Sequence, residues 1–209
     1  MSFDQQKSTW KKIWPILKKH YARSETFLNY TNTWELLVAV ILSAQMTDDG
    51  VNAISPALFK RFPTPQSMAR ASISEITKYV KQVNYFNAKA RYLKKTAELL
   101  VANFNSQVPD NVDELMTLSG VGRKTAVAVL ANGFKKYIGI AVDTHVIRFV
   151  KRFGLSRHTD PSKIEQDLMQ IIRNKDWNAA SYAIKEYGRR EGRARWKPEI
   201  DPVWEKIKK

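Results

Sequence analysis

The stretch Gly120-Val121-Gly122-Arg123-Lys124-Thr125 gathers two glycines, two cations and a hydroxyl, and Asp143 follows downstream. Residues of these types can grip phosphate. The spacing is not that of a P-loop, which requires glycines at 118 and 123 for a lysine at 124; Leu118 and Arg123 stand there. It is not a dinucleotide fingerprint either, because Thr125 takes the place of the third glycine. Both motifs also follow a strand. Here Val112, Leu115, Met116 and Leu118 fall at i, i+3, i+4 and i+6, which reads as helix. The pattern is therefore helix, glycine turn, helix. Glycine permits positive φ and lets a ligand approach the bare backbone. The second helix would present free N–H groups and a positive dipole end to an anion. A plain helix–helix turn fits the same spacing.

Composition narrows the partners. The 209 residues carry 35 Lys+Arg against 20 Asp+Glu, a net charge of +15 and a pI of about 9.9. Such an excess points to a polyanion, nucleic acid first and acidic membrane second. Six Trp and eight Tyr favour nucleic acid, since aromatic rings stack on bases. There is no cysteine, so disulfides, thiolate metal sites and cysteine-held iron–sulfur clusters are excluded. His20, His145 and His158 are scattered without metal-ligand spacing. No apolar run is long enough to cross a membrane, and the N-terminus lacks the apolar stretch of a secretory signal. The expectation is a soluble cytoplasmic protein, nucleoid-associated if bacterial.

The elements that must position these residues are helical. Ser8-Thr9 are expected to cap a first helix, perturbed by Pro15. Thr33 to Leu42 is apolar on nearly all sides and reads as a buried central helix, with a strand as the lesser alternative. Thr47-Asp48-Asp49 caps a helix running to Phe59. Ser72 to Tyr79 and Ala88 to Phe104 follow, separated by a loop at Asn84-Tyr85-Phe86-Asn87. Lys124 to Asn132 is next, with Gly133 as its stop. Asp143-Thr144 opens a helix that ends at Gly154, and Asp160-Pro161 opens another. The last runs from Ala179 to Tyr187. No strand pattern appears, so the class is all-α with a core large enough for one large domain or two small ones.

Leu118-Ser119-Gly120-Val121-Gly122-Arg123-Lys124-Thr125-Ala126, followed by Ile140-Ala141-Val142-Asp143-Thr144-His145, resembles the endonuclease III-like DNA glycosylases of the helix-hairpin-helix (HhH-GPD) superfamily. Leu36 to Gln45 resembles the family's buried helix, and Tyr85 to Ala90 resembles its DNA-inserting loop. The likeness implies two helical domains flanking a DNA-binding cleft. Residues 25–137 would form a six-helix barrel with the hairpin, and 1–24 plus 138–209 the second domain.

The resemblance also implies the chemistry. Leu118, Gly120, Val121, Gly122, Arg123 and Thr125 would hold a DNA phosphate through the hairpin backbone, with a monovalent cation there. Such a contact positions the duplex and carries no base information. The target nucleotide must be flipped out, at an unstacking cost of a few kcal/mol. Gln45 would fill the vacated space and Tyr85 would wedge the stack, with Asn87 and Lys89 contacting DNA beside them; ordinary core packing is the plain alternative for Tyr85 and Phe86. Ser43, Met116 and His145 would line the base pocket. The Lys124 amine would attack C1′ and form a Schiff base, and Asp143 would stabilise the cationic sugar. An adjacent arginine, a helix N-terminus and partial burial would all favour the neutral amine that attack requires.

Two departures stand out. The family's four-cysteine cluster would fall near Gly192, Glu199, Pro202 and Lys208, so no 4Fe-4S cofactor is expected. Trp196 and Trp204 would pack that tail, and Arg189, Arg190, Arg193, Arg195 and Lys197 would form a phosphate-binding strip. Met116 stands where endonuclease III has a glutamate, which weakens the expectation of the usual oxidised-pyrimidine substrates and leaves open a uracil- or thymine-type base or a modified pyrimidine such as 5-hydroxymethyluracil. The function expected is a bifunctional glycosylase and abasic-site lyase acting as a monomer on lesion-bearing duplex DNA. The alternatives are a monofunctional uracil/thymine mismatch glycosylase and a non-catalytic DNA-binding module.

Overall fold

The computed structural model describes residues 1–22, 25–191 and 201–207. In chain order its helices are α1 (Phe3–His20), α2 (Thr33–Leu42), α3 (Asp48–Arg61), α4 (Pro65–Arg70), α5 (Ile73–Val80), α6 (Phe86–Asn103), α7 (Val112–Thr117), α8 (Arg123–Gly133), α9 (Thr144–Phe153), α10 (Pro161–Ile171), α11 (Trp177–Arg190) and α12 (Pro202–Ile207). No strand occurs among the described residues. The chain divides into two compact units. One is Phe27–Lys136 and the other is Met1–Thr26 with Tyr137–Lys209.

The Phe27–Lys136 unit is built around α2. Asn32 caps it by accepting from the Glu35 N–H, and every residue from Trp34 to Leu42 is buried. A helix apolar on all faces must be surrounded, and α3, α6 and α8 pack on it. Leu36, Leu37, Val38 and Leu42 are wholly inaccessible, each worth ~2 kcal/mol of burial. The helix α8 runs one residue past the expected Asn132 and ends on Gly133, with Phe134 as its C-cap. A Cβ on Gly133 would stand 3.0 Å from Leu36 Cδ2 and 3.2 Å from Thr33 Cγ2. Its bareness lets α8 close onto α2. The helix α4, absent from the sequence expectation, starts at a reciprocal cap that Thr64 and Ser67 form around Pro65.

In the second unit α1 begins earlier than Ser8-Thr9, because Ser2 and Gln5 form a capping box. Trp10, Ile13, Trp14 and Leu17 bury one stripe of that helix. Tyr187 of α11 stands at the centre, edge-on to Tyr21 at 5.4 Å and to Phe149 at 5.2 Å. Its hydroxyl donates to Asp201 and accepts from Arg152 Nη at 2.6 Å. Arg152 in turn pairs with Asp201 at 3.6 Å. Asp201 is only 2% exposed and also accepts from the Val203 and Trp204 N–H groups, which starts α12. Burial first, and then the bond to Asp201, push the Tyr187 phenol well above its ordinary range. Trp204 packs on Phe153 at 5.8 Å, as its expected role in the tail requires. No described helix is long and apolar enough to cross a membrane.

Candidate functional site

The glycine turn lies between α7 and α8. Val121 N–H donates to the Leu118 carbonyl at 3.2 Å, and Thr96 Oγ1 of α6 donates to the Ser119 carbonyl at 2.7 Å. Leu118 and Val121 are buried. As candidate DNA contacts they therefore offer main chain alone. The two glycines answer to different demands. Gly120 has φ +77°, and a Cβ there would meet the Tyr92 ring at 3.0 Å. Gly122 has φ −92° and ψ 176°, an extended backbone open to any residue, and among the described residues, its two chain neighbours aside, nothing lies within 4 Å of a Cβ built on it.

Gly122 is the N-cap of α8 and gives that helix no side-chain cap; no acidic residue occupies its first turn either. Arg123 and Lys124 are exposed there and Thr125 is half-buried. The partial burial expected of Lys124 is thus not supplied by the protein. Any desolvation of its amine must come with the ligand.

Gln45 and Tyr85 share a backbone conformation. Their φ angles are 55° and 57°, in the left-handed region, and both side chains are exposed, Tyr85 to 65%. Core packing is therefore not what Tyr85 does. The expected loop is also shorter than its sequence suggested, since α6 begins at Phe86 with Tyr85 as its N-cap. Asn87 is exposed in the first turn.

Lys89 is a correction. It is 4% exposed, and its Nζ donates to the carbonyls of Leu42 at 2.7 Å and Ala44 at 2.6 Å. A buried ammonium needs such acceptors, and the end of α2 provides carbonyls that the helix leaves unpaired. Desolvation pulls its pKa below the ordinary lysine value. Lys89 faces inward, and its ammonium is engaged by the protein rather than presented at the surface.

Of the pocket candidates, Ser43 is half-buried and donates to the Val40 carbonyl at 2.9 Å. Met116 is 45% exposed on α7. His145 belongs to the other unit. Its Nδ1 lies 3.2 Å from Arg148 Nη, and a Cβ on Gly188 would come within 2.3 Å of that nitrogen, so only glycine fits beside the ring. Burial first lowers the His145 pKa; Arg148 and Lys185 lower it further, against the opposing charge of Asp143. Asp143 caps α9. Its Oδ1 accepts from the N–H groups of His145 at 2.8 Å and Val146 at 3.0 Å.

Arg189 is half-buried in the last turn of α11. Arg190 pairs with Glu186 at 2.6 Å and lies over the Tyr21 ring, which engages it within the protein. Arg193, Arg195, Trp196 and Lys197 lie outside the described residues, as do Gly192, Glu199 and Lys208. A thiolate-held cluster does not fit this chain, which has no cysteine to give. The described tail is instead held by Asp201 through Tyr187 and Arg152. No group of three metal-ligating side chains occurs among the described residues. Sequence reasoning missed Tyr92, Thr96 and Asn84. Tyr92 and Thr96 share a face of α6 by their i, i+4 spacing, but only the fold reveals the turn they hold.

Comparison with known proteins accords with this arrangement. Residues 38–174 match the HhH-GPD superfamily base excision DNA repair protein family. Endonuclease III of Synechocystis sp. is 42% identical over 189 residues, 90% of this chain and 85% of that one. Endonuclease III of Rickettsia felis is 40% identical over 190 residues, 91% of this chain and 88% of its own. The solved structure of a trapped endonuclease III–DNA covalent intermediate is similar at a TM-score of 0.90 and 34% identity, covering 94% of this chain and 93% of that one. With a family match across most of its length and relatives this close, the chain belongs to the HhH-GPD superfamily of base excision DNA repair proteins.

Proposed function

We propose that this base-excision glycosylase removes an altered pyrimidine from duplex DNA and then cleaves the strand at the abasic site through Lys124. The Lys124 amine attacks C1′ and the bond from C1′ to the base nitrogen breaks; the base leaves with that electron pair and is protonated. Loss of water is not needed, because the ring oxygen departs from C1′ as the Schiff base forms. A proton then leaves C2′ and the C3′–O bond breaks, which nicks the strand 3′ to the lesion. Asp143 stabilises positive charge on the sugar while the base departs. Held as the N-cap of α9 by two N–H groups, its carboxylate is fixed in direction for that task.

Gly122 supports this most directly. Its conformation does not demand glycine and the protein leaves room for a side chain. What the missing side chain admits is a ligand at the uncapped start of α8, where N–H groups and dipole favour a phosphate. Lys124 sits one turn-position into the same helix. Met116, in place of the family's glutamate, favours a uracil- or thymine-type base such as 5-hydroxymethyluracil. The protein works without an iron–sulfur cluster, its tail held by Asp201 instead.

Borohydride trapping tests the proposal on labelled duplexes bearing an abasic site, thymine glycol, 5-hydroxymethyluracil, U·G or T·G. A covalent adduct on one altered base, lost in Lys124→Ala, is the expected result. Alkali-labile sites without an adduct would reassign attack to a water near Asp143. An adduct that persists in Lys124→Ala removes the lysine from its role.

A further inference from the structure

We infer that Lys89 and Asn84 are positioning residues that bind the Gln45 and Tyr85 turns into one rigid, two-pronged wedge. This rests on the proposed insertion of Gln45 and Tyr85 into the duplex. Asn84 Nδ2 donates to the Gln45 carbonyl at 2.7 Å. Tyr85 is the next residue, and its own carbonyl accepts from the Lys89 N–H at 3.0 Å. The Lys89 side chain returns to the first turn, donating to Ala44 and Leu42. Ala44 adjoins Gln45. Covalent and hydrogen bonds thus close a circuit running from Gln45 through Asn84, Tyr85, Lys89 and Ala44 back to Gln45.

Each part of the circuit has a cost that ordinary loop building would avoid. Lys89 gives up its hydration in a site where a helix end is usually closed by a glycine or by solvent. Gln45 and Tyr85 hold left-handed backbone that glycine would adopt freely. The exposed side chains of Gln45 and Tyr85 receive little packing in return. The circuit fixes where those two side chains stand relative to each other. A wedge that must fill a vacated base position and part a stack in one motion needs that fixed spacing, and small misplacements at a reacting centre are expensive.

The experiment uses the full chain and a duplex carrying a tetrahydrofuran abasic analogue with 2-aminopurine opposite it. Stopped-flow fluorescence separates association from the later phase in which the wedge enters beside 2-aminopurine. Lys89→Met and Asn84→Ala are expected to slow the insertion phase by about tenfold and to leave association within about twofold. A merely structural role lowers the active fraction, and so the amplitude, without changing the rate of the molecules that remain folded. A wild-type insertion rate in either variant overturns the clamp. Asn84 is exposed, so Asn84→Ala decides the matter if Lys89→Met fails to fold. Gln45→Gly and Tyr85→Gly are measured beside them. If both keep the insertion phase, the wedge assignment itself fails; if they lose it while the clamp variants do not, only the clamp fails.

Discussion

The hairpin turn and the Gln45–Tyr85 pair belong to the same helical unit, yet they treat positive φ in opposite ways. The hairpin places glycine there, at Gly120, and adds a second glycine, Gly122, whose bareness the protein does not require. The pair places a glutamine and a tyrosine there, each at a cost of ~1–2 kcal/mol. The proposed roles account for the difference. The hairpin would offer its main chain to a phosphate, where side chains are dispensable. The wedge would offer side chains, and the strain would be kept for their sake. Two other left-handed residues in the unit have a local reason: after Asn105 and Lys135, the N–H groups of Ser106 and Lys136 close α6 and α8 onto Leu100 and Leu130. Tyr85 starts a helix, where no such carbonyl needs closing.

The largest effect expected of this contrast lies in the wedge. Gln45→Gly and Tyr85→Gly should each hold or raise stability, by up to about 1 kcal/mol, as the backbone relaxes. Excision from a paired substrate should fall by about thirtyfold, because ~2 kcal/mol of unstacking is no longer offset. Thermal melts and single-turnover excision read the two quantities. Loss of stability in both variants would mean that these turns are built for the fold, and the contrast with the hairpin would break.

The hairpin glycines sharpen it. Gly120→Ala should cost about 2 kcal/mol of unfolding free energy, from the left-handed φ and the Tyr92 ring together. Tyr92→Ala should relieve part of that cost in the double variant. Gly122→Ala should stay within about 0.5 kcal/mol of wild type and still bind an abasic-analogue duplex about tenfold more weakly, as a charge-assisted bond to phosphate is lost. Equal destabilisation by the two substitutions would show that Gly122 is a second structural glycine.

Much of this was legible where the signal is local. The caps at Thr47, Asp143 and Asp160 are side chains acting within three residues of themselves. Gly154 announces the end of α9 by its own conformation. The helices α4 and α12 have six residues each, and their sequence signal is a start, Thr64-Pro65 and Asp201-Pro202, of the same kind as Asp160-Pro161. The resemblance puts Lys89 on DNA, and its burial has a tertiary cause. The carbonyls that make that burial tolerable lie 45 and 47 residues away. Gly133 ends α8, and its second role, leaving room for Leu36, shows only once that side chain is placed against it. In the hairpin, sequence gives the two glycines one description, and only the space around each Cβ tells them apart.

The smallest expected effect separates charge from backbone within the hairpin itself. If Gly122 admits a phosphate to N–H groups, Gly122→Ala lowers affinity equally at every salt concentration, because no cation is removed. Arg123 is exposed at the first position of α8. If its guanidinium neutralises a phosphate, Arg123→Gln lowers the slope of log Kd against log salt by about 0.9. At moderate salt the two variants could bind with similar affinity and still be told apart by that slope. A changed slope in Gly122→Ala would mean that the alanine displaces the whole strand from the cationic surface, not one phosphate from one helix end. An unchanged slope in Arg123→Gln would leave the hairpin acting through its main chain alone, the extreme form of its contrast with the wedge.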